Sequence, residues 1–67
     1  DYSKAAEWYI KAAEQGFAEA QYCLGALYYL GEGVAKNVYE AEEWWHKAAD
    51  QGHKGAIEGL KLLGVNF

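Results

Sequence analysis

Lys11-Ala12-Ala13-Glu14-Gln15-Gly16 returns in the same chain as Lys47-Ala48-Ala49-Asp50-Gln51-Gly52. The two stretches stand 36 residues apart, and that offset decides the fold. It also carries Ala5 to Ala41, Glu7 to Glu43, Trp8 to Trp44, Ala20 to Ala56, Leu24 to Leu60 and Leu27 to Leu63. The aromatic pair Trp8-Tyr9 becomes Trp44-Trp45. These matches fall at helical spacing and outside any low-complexity tract. They mark an internal repeat, with a period inside the range of helical solenoids.

Within each unit the apolar residues recur near every 3.6 positions. Tyr2, Ala5, Trp8-Tyr9 and Ala12-Ala13 form one stripe, which Val38, Ala41, Trp44-Trp45 and Ala48-Ala49 repeat. Ala20, Leu24 and Leu27-Tyr28 form another, continued by Ala56, Leu60 and Leu63. The pattern predicts four helices at about 2–15, 18–30, 38–50 and 54–63. Gly16 and Gly52 are helix stops, because glycine takes the left-handed position after a helix at low cost. The links at those glycines are very short, so consecutive helices must pack antiparallel. Asn37 with Glu40 three residues on is a capping-box-like start. Asp1, its equivalent, has Lys4 at that place, so the first start is less well specified. Glu7/Lys11 and Glu43/Lys47 have the spacing of favourable ion pairs on solvent faces.

Composition narrows the function classes. The chain has 67 residues, 52% of them hydrophobic and 24% charged, which is enough apolar surface to fold. No apolar run approaches the roughly 18 residues of a membrane span, and no signal-type apolar segment is present. The net charge of −4, with six Lys and no Arg, disfavours nucleic acid. One Cys permits neither an internal disulfide nor a multi-Cys metal site. It suits a reducing cytosol and equally a periplasmic or secreted fragment, so the compartment stays open. Nucleophilic catalysis is poorly provided for. Ser3 is the only Ser, Thr is absent, and Cys23 lies in mid-helix. Gly31-Glu32-Gly33 is too short for a phosphate loop and lacks its preceding strand.

Ala20-Gln21-Tyr22-x-Leu24-Gly25-x-x-Tyr28-x-x-Gly31-x-Gly33-Val34, then Ala41-x-x-Trp44-Trp45-x-Lys47-Ala48-Ala49-x-Gln51-Gly52, resembles the Sel-one-like repeat family. Leu24-Gly25-x-x-Tyr28 alone also looks like the tetratricopeptide pattern, but that family repeats at 34 residues. The resemblance covers the whole chain. It implies an all-α fold, an α/α superhelix built as a right-handed solenoid of antiparallel helix pairs. Residues 1–17 would be the second half of a repeat, 18–53 one full repeat, and 54–67 a first half or a C-terminal capping helix. Two positions depart from the pattern. Ala35 stands where the family usually places Pro. Gly59-Leu60-Lys61 replaces Cys23-Leu24-Gly25, as a terminal helix would. The resemblance further implies an interaction scaffold for a protein or peptide, not an enzyme, with no cofactor. Bacterial adaptors are among its relatives.

Solenoids present a concave surface lined by the first helix of each pair. Beside the core stripe of the second helix runs another: Glu19, Tyr22, Ala26 and Tyr29. The same offset points to Glu58 and Leu62 on the fourth. These six residues are the candidate binding face. Tyr22 and Tyr29 offer large amphipathic area for a partner, and each could equally pack between units. The alternatives are a purely structural spacer, or a small metal- or ligand-binding enzyme-associated domain that uses His46 and His53 with Glu42 and Asp50. Against it, the equivalents in the first unit are Ala6, Ile10, Glu14 and Phe17, and no defined zinc motif is present. In the first helix the stripe Ala5, Trp8, Tyr9 and Ala12 lacks its usual partner. It should be met by another repeat of a longer array or by self-association.

Overall fold

The computed structural model describes residues 1–65, and its regular structure is α1 (Tyr2–Glu14), α2 (Ala18–Leu30), α3 (Val38–Asp50) and α4 (Lys54–Leu62). Each bound lies within one residue of the sequence expectation. The described residues contain no strand, so the fold is all-α. Contacts run α1 to α2, α2 to α3 and α3 to α4, the nearest-neighbour order of a stacked array. The smallest extent between Cα atoms is 14 Å, which two layers of helix axes roughly 8–10 Å apart account for. No described helix is long and apolar enough to cross a membrane.

The turns form as the glycines predict. At Gly16 (φ +96°) the Phe17 N–H donates to the Ala12 carbonyl and the Gly16 N–H to Ala13. At Gly52 (φ +85°) His53 donates to Ala48 and Gly52 to Ala49 in the same way. Both are Schellman turns, which satisfy carbonyls the helix itself leaves open. The starts are also capped. Asn37 Oδ1 accepts from the Glu40 N–H at 3.1 Å. Asp1 Oδ1 accepts from the Ser3 N–H at 3.0 Å, so the carboxylate caps α1 without help from position 4.

The buried residues divide into two clusters related by the 36-residue shift. One holds Ala13, Ala20 and Leu24, with Tyr9, Ile10, Ala12, Tyr28 and Trp44 against it. The other holds Trp45, Ala48, Ala49, Ala56 and Leu60, with Tyr22 and Ala26 among its half-buried neighbours. Alanine dominates because close helix approach leaves no space for more. On α1 the buried residues are Ala13, which the stripe includes, and Ala6, which it does not, while Tyr2 and Trp8 of the stripe are exposed. Neither Glu7/Lys11 nor Glu43/Lys47 closes into an ion pair. Lys47 instead holds its ammonium 4.4 Å from the Trp44 ring centroid, a cation–π contact that competes with an exposed carboxylate worth little in water.

Candidate functional site

The candidate face rises from the seam between α2 and the α3–α4 pair, and Trp45 is the centre of that seam. Its side chain is 6% exposed. Its indole N–H donates to the Tyr22 carbonyl at 3.0 Å. Two glycines make room for the ring. A Cβ on Gly25 would collide with the indole edge and lie 3.1 Å from the Ala41 carbonyl oxygen. A Cβ on Gly59 would lie 2.9–3.0 Å from the other side of the same ring. The first unit solves the same position differently. There the smaller Tyr9 stands where Trp45 does, and Cys23 stands where Gly59 does. The Cys23 thiol sits beside the Tyr9 hydroxyl. Burial pushes the thiol's pKa up, Glu19 adds to the rise, and the hydrogen bond toward Tyr9 opposes it. The Tyr9 phenol is also raised, chiefly by the nearby Cys23.

The six candidate residues are placed unequally. Tyr22 is half-buried and stacks on both Trp45 (centroids 6.5 Å apart) and His53 (4.7 Å). Ala26 packs on the same core cluster. Tyr29 leans on Trp45 at 5.6 Å while keeping 39% of its surface exposed. Glu19 is exposed and accepts from His53 across the seam. Glu58 and Leu62 lie on the exposed side of α4, Leu62 with 86% of its surface open. The structure thus gathers Glu19, Tyr22 and Tyr29 around Trp45 and His53, and sets Glu58 and Leu62 one helix away.

His53 has two structural bonds. Its Nδ1 accepts from the Ala56 N–H at 3.1 Å and so caps α4. That leaves Nε2 to carry the proton, and it meets Glu19 Oε2 at 2.6 Å. Its equivalent Phe17 starts α2 with no side-chain cap. Both ring nitrogens of His53 are therefore occupied, and the Glu42–His46–Asp50–His53 metal alternative loses its geometry. Glu42 and His46 sit 3.9 Å apart on α3, while His53 turns toward α2. Among the described residues no group of three or more His, Cys, Asp or Glu side chains could hold a metal ion.

Two further side chains complete the seam, and the composition gave no notice of them. Gln51 Nε2 donates to the Gly16 carbonyl at 2.8 Å and to Gln21 Oε1 at 3.1 Å. Gln21 is buried, and its Nε2 donates to the Ala13 carbonyl at 3.1 Å. The recurrence of Gln15 at Gln51 was the one signal available. Gln21 has Ile57 as its equivalent and offered none.

Known proteins share this fold. The Sel1 repeat matches residues 1–17 and 18–53. An exopolysaccharide production negative regulator of Rhizobium meliloti is 41% identical over 58 residues, 85% of this chain and 22% of that protein. The chitin synthase regulator SKT5 of Saccharomyces cerevisiae is 38% identical over 61 residues, 91% of this chain and 9% of that protein. The chain therefore spans about a fifth and about a tenth of those curated relatives. Among solved structures, a Sel1 repeat protein from Oxalobacter formigenes superposes with a TM-score of 0.86 at 47% identity, covering 94% of this chain and 27% of that one. A protective antigen of uropathogenic Escherichia coli, described as displaying an SLR fold, gives 0.88 at 38% identity, covering 90% and 13%.

Proposed function

Because this chain belongs to the Sel1 repeat family, we propose that it is a protein-interaction scaffold that holds a protein or peptide partner on the α2–α4 face. The observation that carries this reading is the unequal burial of the face. Tyr22 and Ala26 complete the core, yet Tyr29 and Leu62 stay open beside them on consecutive units. Large apolar side chains on a surface whose core is already closed are the usual anchors of a partner. Glu19 and Glu58 would give that face an acidic rim. The two curated relatives are named as regulators, which fits an adaptor. No catalytic role is assigned to any residue.

A photo-crosslinking residue placed at Tyr29 or Leu62 tests the face, with Tyr39 on α3 as the comparison site, since it is also exposed. We expect a common partner to be trapped at Tyr29 and Leu62 but not at Tyr39. The pair Tyr29→Ala and Leu62→Ala should abolish that capture while far-UV helicity stays near wild type. Equal trapping at all three sites would count against this face.

A further inference from the structure

His53 joins two helices through one ring, and each of its nitrogens serves a different one. Nδ1 accepts from the Ala56 N–H at 3.1 Å and starts α4. Nε2 meets Glu19 Oε2 of α2 at 2.6 Å. The ring also stacks on Tyr22 of α2, with centroids 4.7 Å apart and planes inclined by 25°. On the α4 side a Cβ at Gly55 would come within 3.0 Å of its Cε1, so the ring is held closely there too. The first unit has nothing comparable, because Phe17 at this place caps no helix.

Only the neutral ring can hold both helices. A capping Nδ1 must offer a lone pair. A proton placed there turns the acceptor into a second donor, opposed to the Ala56 N–H, and that bond is lost. The positive pole at the start of α4 then repels the charged ring. The α2 side responds in the opposite sense. Nε2–H keeps its carboxylate and the bond becomes charge-assisted, while the face of the Tyr22 ring attracts the cation. Glu19 and Tyr22 are the titratable groups that α2 turns toward the ring. Asp50 at the end of α3, and Lys54 and Glu58 on α4, form no ion pair with it.

We infer that His53 is a proton-operated clasp: a proton on Nδ1 leaves the ring on α2 and frees the first turn of α4. Glu58 and Leu62 lie on α4, so acid loosens that half of the candidate face while Tyr29 on α2 stays in place. This consequence rests on the partner face proposed above; the clasp itself does not.

The test follows amide and imidazole resonances of the full chain from about pH 8 to about pH 5, across the imidazole range. His46→Gln is included, to remove the one other histidine. We expect the Ala56 amide to move with the same midpoint as His53 Nδ1. Its protection against hydrogen exchange, corrected for the intrinsic rate, should fall roughly fivefold, while the Tyr22 ring signals keep their stacking shifts. His53→Phe should give low Ala56 protection at both ends and no step between them. An Ala56 amide that stays put while the ring titrates, or Tyr22 shifts that collapse together with it, would overturn the clasp. Photo-crosslinking from Leu62 should weaken relative to Tyr29 on acidification, and His53→Phe should abolish that difference. Capture indifferent to pH despite the Ala56 step would refute the regulation. Capture at neither pH would instead sink the partner face, with the Ala56 step still deciding the clasp.

Discussion

Trp45 and Gly59 form a matched pair in the second unit, and Tyr9 and Cys23 form its counterpart in the first. Ring size and the residue opposite are therefore coupled. Gly59→Cys alone overfills the seam and should cost about 1–3 kcal/mol. Trp45→Tyr alone loses apolar contact and the bond to the Tyr22 carbonyl. Made together they reproduce the first unit. We expect the double variant to be less destabilised than the sum of the singles by at least about 1 kcal/mol in chemical denaturation; simple additivity would refute the coupling. Cys23 supplies a second test at this scale. Folding favours its protonated thiol, chiefly through burial. That contribution is fully present below the ordinary thiol range and fades as pH rises through the raised value. A disulfide reagent at pH 8 should label the native chain more slowly than the urea-unfolded chain, with the native rate still climbing at higher pH. Equal rates would mean that the thiol is not held up. The coupled pairs were not legible in the sequence, because Gly25 and Gly59 acquire their meaning only once the indole ring is placed between them.

At the scale of the helix, the sequence was informative where a local rule fixes a local geometry. The 3.6-residue stripes, Gly16, Gly52 and Asn37 each act within one turn, so all four helices could be placed within a residue of their ends. The start of α4 was not readable in that way. Its cap is the His53 ring, and the first unit has Phe17 there, so the repeat itself concealed the role. His53→Phe keeps an aromatic ring on Tyr22 but removes both the cap and the Glu19 bond. It should cost about 1 kcal/mol and lower the melting temperature by roughly 4–8 °C. A melting temperature unchanged within error would show that the stacking alone holds α4. The candidate face was legible in part for a related reason. Periodicity put Tyr22 and Tyr29 on one stripe, but only the position of Trp45 separates the residue that packs from the one that stays open.

Across the described residues, the main contacts join helices adjacent along the chain, so stability and shape are passed from one unit to the next. The alanines at the interface are small and smooth. On their own they would let one pair glide or swivel against the other at little energetic penalty. Four directional side-chain bonds prevent that: Trp45 to Tyr22, Gln51 to Gly16 and to Gln21, and His53 to Glu19. They are spread along the interface rather than gathered at one point, so no rotation about a single bond can relieve the others. The angular step between successive units is thus set like the pitch of a screw thread, and the bend of any longer coil built from this unit is inherited from these few hydrogen bonds.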